Sequence, residues 1–410
     1  MGLLAQWRAF DGRQRNAFVA SFLGWTLDAF DFFIMVFILR AVAAEFGTNV
    51  KAVSVAVTLT LAMRPLGALV FGWLADAFGR RPVLMADIML FSVLELASAF
   101  APSLVSLLVL RAAFGFAMGG EWGIGASLTM ETIPQSARGL ASGLLQEGYA
   151  FGYLLAAVVY GLLFDAIGWR GMFMVGVLPA LLVVYIRRNV EESPAWHRMQ
   201  ERPRRPLSAV LRGNVGLFVY VVLLMTAFNF FSHGTQDLYP TFLQVQRGLP
   251  TRTVSTIAII ANIGAIVGGL IFGALSQRIG RRRAIVLAAL LALPIIPLWG
   301  FSTSVVLLAL GAFLIQIAVQ GAWGVIPVHL NELSPDEVRG TFPGFAYQLG
   351  NLLASANATL QAGFAADRGG NYALALAVVA AAAAVAIALL TSVGPEAHGV
   401  EFGAGRAEGR

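Results

Sequence analysis

The sequence predicts an all-α membrane protein: twelve transmembrane helices in two pseudo-symmetric six-helix halves. Three observations carry this: long apolar stretches, few charges and an internal repeat. The 410 residues are 58% hydrophobic and 12% charged, about half the charged share of a soluble domain. Apolar stretches of about 20 residues, the length that crosses a bilayer, recur from Ala17 to Ser392. They fall near 17–40, 51–75, 83–101, 104–130, 140–164, 169–187, 213–241, 252–276, 284–301, 304–331, 341–366 and 371–393. Residues 1–188 read as an N-terminal half, 189–212 as a linker rich in Pro and Arg, 213–393 as a C-terminal half and 394–410 as a short tail. The 44 glycines are scattered through the apolar stretches, as in membrane helices that pack closely through small residues.

The segment before Ala17 is too polar for a secretory signal and has no small-residue cleavage site, so the first span is expected to stay. The absence of cysteine excludes disulfides, thiol nucleophiles and zinc–thiolate sites. No metal-ligand spacing, nucleophile elbow or nucleotide loop is present, which argues against an enzyme and against a metal or organic cofactor. A formal charge of +6 raises the question of nucleic acid, but the basic residues form no solvated patch. They gather instead at alternate loops and the termini, as at Arg8, Arg80, Arg81, Arg187, Arg188, Arg281 to Arg283 and Arg406. Only Arg40, Lys51, Arg170, Arg247, Arg252 and Arg368 lie on the other side. The positive-inside bias then places both termini, the linker and the tail of a multi-pass membrane protein in the cytoplasm; the resemblance described below implies a bacterial inner membrane.

The halves repeat at an offset of 201. That shift superposes Gly72 to Arg81 (GWLADAFGRR) on Gly273 to Arg282 (GALSQRIGRR), and Glu131, Pro134, Arg138 and Gly139 on Glu332, Pro335, Arg339 and Gly340. Repeats within one membrane chain mark transporters that rock two halves about a central site. Gly72, Asp76, Gly79, Arg80 and Arg81 resemble the loop motif between the second and third helices of the major facilitator superfamily. Gly273, Gly280, Arg281 and Arg282 form the second copy, which departs from the pattern at Gln277, where Asp is usual. RAAFGFAMGG, from Arg111 to Gly120, is similar to the family's fourth-helix pattern. The resemblance implies a cytoplasmic charge relay, including Arg138 and Arg339, that latches the outward-facing state more firmly in the first half. Tight turns and positive-inside bias are the plainer alternative.

An ionisable group at bilayer depth needs a reason. Those here lack mates: Arg64 maps on Ala265, Asp31 on Ser232, His233 on Phe32 and Asp237 on Val36. Arg64 lies 12 residues before Asp76, about 18 Å along a helix. Its guanidinium would pair with Asp28 or Asp31, or grip a substrate carboxylate through two hydrogen bonds. In the seventh span, Asn229, His233, Asp237 and Thr241 recur every four residues on one predicted face. That step suits proton exchange, or a hydrogen-bond network with no proton role. Asp28 and Asp31 are a second pair suited to a proton. Glu95, Glu121 and Glu147 are weaker candidates, and Tyr149, Trp122 and Trp323 are expected to wall a pocket or to pack as filler.

Asn229, Ser232, His233, Thr235, Gln236, Asp237 and Thr241 resemble the seventh-helix signature of the Jen-type lactate/pyruvate:proton symporters, within the sialate:proton symporter group. Gln348 and Asn351 in YQLGNL, and Arg64 before Pro65, match pore positions of that family. The likeness implies proton symport of a small carboxylate by a functional monomer. Arg64, Asn229, Gln348, Asn351 and Tyr149 would hold substrate; His233 and Asp237, or Asp28 and Asp31, would couple the proton. The two first-span aspartates are also similar to those of aromatic-acid:proton symporters. A larger acid such as sialate, a proton-coupled exporter and a non-transporting receptor stay open beside the monocarboxylate reading.

Overall fold

The computed structural model describes residues 10–201 and 207–403. Parts of the predicted N-terminal half (1–9, with Arg8), linker (202–206) and tail (404–410, with Arg406) lie outside the described residues. All regular elements among those described are helical. The first six spans are α1 (Gly12–Glu45), α2 (Val50–Phe78), α3 (Arg80–Ala99), α4 (Leu104–Met118 and Glu121–Thr132), α5 and α6. Span α5 begins at Arg138–Gln146 and continues in Gly148–Val175 until Gly168, whose φ of 62° turns the chain back; α6 starts there and ends in Pro179–Asn189. The other six are α7 (Val215–Gln236), α8 (Thr251–Ile279), α9 (Arg281–Phe301), α10 (Val305–Trp323 and Ile326–Leu333), α11 (Phe342–Ala354 and Asn357–Ala366) and α12 (Tyr372–Val393).

Among the described residues 9 stretches are long and apolar enough to cross a membrane, one of them the 55-residue run Gln135–Asn189 that folds back at Gly168. The two further spans are α1 and α11. Span α1 buries Asp28 and Asp31, and α11 is split after Ala354 into pieces of 13 and 10 residues. Span α7 is likewise interrupted: helix stops at Gln236, resumes for Tyr239–Thr241 and ends in the π-turn Phe242–Gln246. The sequence predicts one unbroken span there.

Within each half the packing repeats: α1 lies along α5, α2 along α4 and α3 along α6, as α7 lies along α11, α8 along α10 and α9 along α12. The halves meet where α2 touches α11 and α5 touches α8. Both contacts lie at the end of the bundle that carries the basic loops, called here the basic end. The short helix Pro194–Gln200 also packs there, Trp196 donating its indole N–H to the Asp76 carbonyl at 3.1 Å.

Two tight turns, at Gly79 (φ 110°) and Gly280 (φ 92°), join α2 to α3 and α8 to α9. Each lies in a backbone region that is essentially closed to residues with a Cβ. Each is followed by a helix capped from a distance. Glu192 accepts the Arg80 and Arg81 amides at 3.0 and 3.1 Å, and Glu396 accepts the Arg282 amide at 3.1 Å. A Cβ at Gly79 would stand 2.2 Å from the Glu192 carboxylate. Gly79→Ala should therefore lose roughly 1–3 kcal/mol from backbone strain alone, read as a lowered Tm of the purified protein; an unchanged Tm contradicts the turn geometry.

Candidate functional site

At the basic end the halves are joined by two unequal seams. In the first, Asp76 at the end of α2 accepts the Gly340 amide at 2.7 Å, the Thr341 amide at 3.0 Å and the Thr341 hydroxyl at 2.6 Å. A carboxylate is favoured there because the unpaired amides at the start of α11 carry partial positive charge. Arg80 donates to Asp76 at 2.8 Å and to Glu131 at 3.0 Å, and Arg339 of the other half stands 3.7 Å from Glu131. In the second seam Gln277 accepts the Gly139 amide at 3.2 Å, while Arg281 pairs with Glu332 at 2.9 Å. The first seam is the stronger, as expected from the Asp-to-Gln departure: hydrogen bonds to an ionised acceptor are roughly twice as strong.

Glycine allows this closeness. A Cβ on Gly72 would lie 2.6 Å from the Thr341 Cα, and one on Gly273 would lie 2.7 Å from the Gly139 carbonyl. The predicted latch residues are thus brought together, Arg81 more loosely, donating to the Arg187 carbonyl at 2.6 Å.

The tail adds a component with no signal in the periodicity or the repeat. Arg138 and Arg339, mates across the repeat, place their guanidinium carbons 3.6 and 4.0 Å from the ring of Phe402, which is 1% exposed. Arg138 donates to the Val400 carbonyl at 2.8 Å and Arg198 to the Phe402 carbonyl at 2.7 Å, and Gln135 bonds the Gly399 carbonyl. Two stacked cations and three side-chain donors therefore clasp the tail across both halves.

Farther in, aromatic rings run from one half to the other. Tyr149 lies 5.3 Å from Trp25, Trp25 6.5 Å from Trp122, Trp122 4.7 Å from Tyr347, Tyr347 5.6 Å from Trp323, and Trp323 5.3 Å from Phe228. Trp122 and Trp323 are mates at the 201 offset, and Trp122 donates to Gln146 at 3.3 Å. Beyond this belt lie the predicted polar residues: Asp28, His233 and Asn351 each sit three to five positions past a belt residue of their own helix (Trp25, Phe228 and Tyr347).

Arg64, 2% exposed, pairs with Asp28 at 3.2 Å, touches the Met118 sulfur at 2.8 Å and stands 5.5 Å from the Phe32 ring centre. His233 bridges Asp237 at 3.2 Å and Asn351 at 3.3 Å. The side chains of His233 and Asp237 keep 41% and 36% of their accessibility. Tyr149 and Tyr347 lie within electrostatic reach of Arg64 and Asp28, and Tyr149 also of Asp237. The candidate cavity lies beyond the aromatic belt, between the buried Arg64–Asp28 pair of one half and the part-exposed His233–Asp237 pair of the other.

Other expectations need correction. Asn229, 2% exposed, donates its amide to the Met225 carbonyl at 2.8 Å, so in this conformation it is turned into its own helix and not toward the cavity. Thr235 bonds back to Phe231 at 2.9 Å and Gln236 crosses to Gln316 at 3.0 Å, while on the predicted face His233 and Asp237 stay paired. Gln348 is 1% exposed, with its carbonyl oxygen unpartnered. Asp31 does not share Asp28's partner: a Cβ on Gly176 would lie 3.0 Å from Asp31 and 3.1 Å from Glu95, which places Asp31 toward α3 and α6. Arg111 is a packed pair with Glu95 at 2.6 Å, its guanidinium 4.1 Å from the Phe114 ring centre. No group of three or more acidic or His side chains among the described residues is arranged to hold a metal ion.

The family model described as Major Facilitator Superfamily matches residues 18–358 and 238–406. A relative in Saccharomyces cerevisiae, "Carboxylic acid transporter protein homolog", is 29% identical over 85% of this chain; the match covers 61% of that longer protein. The sialic acid transporter NanX of Escherichia coli is 30% identical over 82% of this chain and 84% of its own. Among solved structures, the proton:xylose symporter XylE bound to 6-bromo-6-deoxy-D-glucose superposes with a TM-score of 0.81 at 18% identity, over 95% of this chain and 98% of that one. This last likeness concerns the fold.

The absence of native cysteine makes single-cysteine labelling direct. Ser142 is buried at the basic end, where its hydroxyl accepts the Val328 amide at 3.1 Å across the halves. In a Ser142→Cys background, Phe402→Ala should raise maleimide labelling several-fold by loosening the clasp. Equal labelling with and without Phe402 would show that the tail does not hold the seam. Asp76→Asn should slow the transport cycle while leaving equilibrium substrate affinity within about threefold, since that seam lies about 18 Å from Arg64; loss of binding by a folded variant contradicts this.

Proposed function

The chain belongs to the major facilitator superfamily, as a multi-pass transporter and not an enzyme, and on that footing we propose that it is a proton-coupled symporter taking up a small monocarboxylate such as lactate or pyruvate by alternating access. The observation that carries the proposal is Arg64. It is a buried guanidinium at mid-depth, held by one carboxylate at 3.2 Å and without a mate in the other half. A substrate carboxylate competes with Asp28 for it. A proton on Asp28 removes the competitor, so proton and anion bind together more readily than either binds alone.

The His233–Asp237 pair, within reach of Asn351, offers the second wall and a second proton position. The requirement for a proton is electrostatic. Carrying an anion into a negative-inside compartment costs about 2.3 kcal/mol per 100 mV, and one co-transported proton cancels that charge. In this reading the basic end faces the cytoplasm of a bacterial cell, the cavity faces outward and the monomer is the working unit. The Jen-type assignment is supported by the seventh-span residues and by the yeast relative's name. A larger organic acid is the second reading, favoured by the relative named for sialic acid and by the wide aromatic floor.

The test is uptake into proteoliposomes under an imposed proton gradient, with labelled lactate, pyruvate, acetate, benzoate and sialic acid in parallel. Lactate or pyruvate should accumulate, and faster as external pH falls toward about 5 to 6, where histidine gains its proton. Exclusive uptake of sialic acid or benzoate would move the assignment to the larger acids. Arg64→Lys should weaken binding at least tenfold, because an ammonium lacks the two-pronged fork; unchanged binding in Arg64→Ala overturns the site. His233→Ala and Asp237→Asn should retain exchange but lose gradient-driven accumulation. Accumulation by both variants would remove that pair from the coupling role.

A further inference from the structure

The N-terminal half buries more acid than base. Asp28, Asp31, Asp87, Glu95 and Glu121 are all 0% exposed, against Arg64 at 2% and Arg111 at 1%. Arg64 is taken by Asp28 and Arg111 by Glu95. Neither oxygen of Glu121 or of Asp87 has a hydrogen-bond partner. Asp87 lies beside the start of the helix that carries Glu121 and acts on it electrostatically: a Cβ on Gly120, the residue before Glu121, would lie 3.2 Å from the Asp87 carboxyl. Glu121 itself reaches α1, where a Cβ on Gly24 would stand 2.3 Å from its oxygen. The charged groups acting on Glu121 are Asp28 from α1, Arg64 from α2 and Asp87 from α3. Asp28 also acts on Asp87 and on Asp31, and Asp31 is faced by Glu95 as well.

This array is not a requirement of the fold, because the other half builds the same six-helix arrangement without it. At the 201 offset, Asp87, Glu95, Glu121, Arg64 and Arg111 become Ala288, Ile296, Ala322, Ala265 and Ala312. A buried carboxylate without a cation or hydrogen-bond donor is stable only with a proton attached. The available ligand is a proton and not a metal ion, since no group of three or more His, Asp or Glu side chains among the described residues could hold one.

We propose that Glu121, with Asp87 beside it, is a proton-binding site of the N-terminal half that exchanges its proton with Asp28 and thereby sets whether Arg64 is free for substrate. The step balances simply: the proton leaves the Glu121 or Asp87 carboxyl and binds the Asp28 carboxylate. Negative charge moves from α1 to α4 or α3, and the Arg64–Asp28 ion pair opens. The inference rests on the proton-symport reading above and names the groups that would store the proton.

Two measurements test it on the full chain in liposomes. Dicyclohexylcarbodiimide reacts with protonated carboxyls in apolar surroundings, and mass spectrometry of the labelled wild-type protein should find the adduct on Glu121 or Asp87. An absence of adduct at both residues from about pH 5 to 8 overturns the proposal whatever the substrate proves to be. The second measurement uses labelled lactate. Glu121→Gln, an amide of the same shape as the protonated acid but unable to pass a proton to Asp28, should lower gradient-driven lactate accumulation at least tenfold and flatten its dependence on external pH. Glu121→Asp should restore part of it, which a purely packing role would not produce. Gradient-driven accumulation by Glu121→Gln at the wild-type level overturns the proposal and leaves the symport reading standing. A wild-type protein that shows no proton dependence overturns both.

Discussion

The contact on which the rest depends is the Asp76 carboxylate against the first amides of α11. It makes one end of the bundle a closed floor and leaves the other free, so every group beyond the aromatic belt acquires a direction. Its strength comes from three donors on one ionised acceptor at the positive end of a helix. Arg80 and Glu131 hold the acceptor in place. Glycine backbones around it let α2 and α11 approach without a side chain between them. Remove the carboxylate and the glycines still allow contact, with the Arg339–Glu131 pair at 3.7 Å left to hold it.

Function and fold are divided unequally between the halves. The repeat supplies a common frame, visible in mated pairs such as Arg138 and Arg339 or Trp122 and Trp323. The ionisable groups break it. Arg64 and the buried carboxylates belong to the first half, and the His233–Asp237 step belongs to the second. In the proposed function the symmetric frame supplies the rocking, and the asymmetric charges select what is carried across it.

Much of this was legible in the sequence because it violates expectation locally. An arginine within an apolar span, or a repeated loop motif, stands out against its surroundings. The twelve spans, the first latch and the Arg64–Asp28 alternative could be read that way. The rest depends on rotation and on distance along the chain. Asp28 and Asp31 are three residues apart, hence about 60° apart around a helix, which is enough to send one toward Arg64 and the other toward Glu95. Asn229 was assigned to the cavity by spacing, yet its amide finds the carbonyl four residues back, a local competition that periodicity does not register. Glu192 and Glu396 cap equivalent helices, but the segments before them differ in length, so the 201 offset misses the pair. Phe402 lies in a Gly-rich tail with no periodicity at all, and Asp87 drew no notice in an otherwise ordinary apolar span.

The unequal seams give the opening stroke a handedness. Parting α5 from α8 breaks one neutral hydrogen bond, from Gly139 to Gln277; parting α2 from α11 breaks three to a carboxylate. By these bonds α5 is held to α8 less firmly than α2 to α11, while the Ser142–Val328 bond and the tail clasp on Arg138 also join the halves on the α5 side. Glu147, buried and with an oxygen left unpartnered, lies against Gly269 on that side, so a parting of α5 from α8 would bring its carboxyl to water.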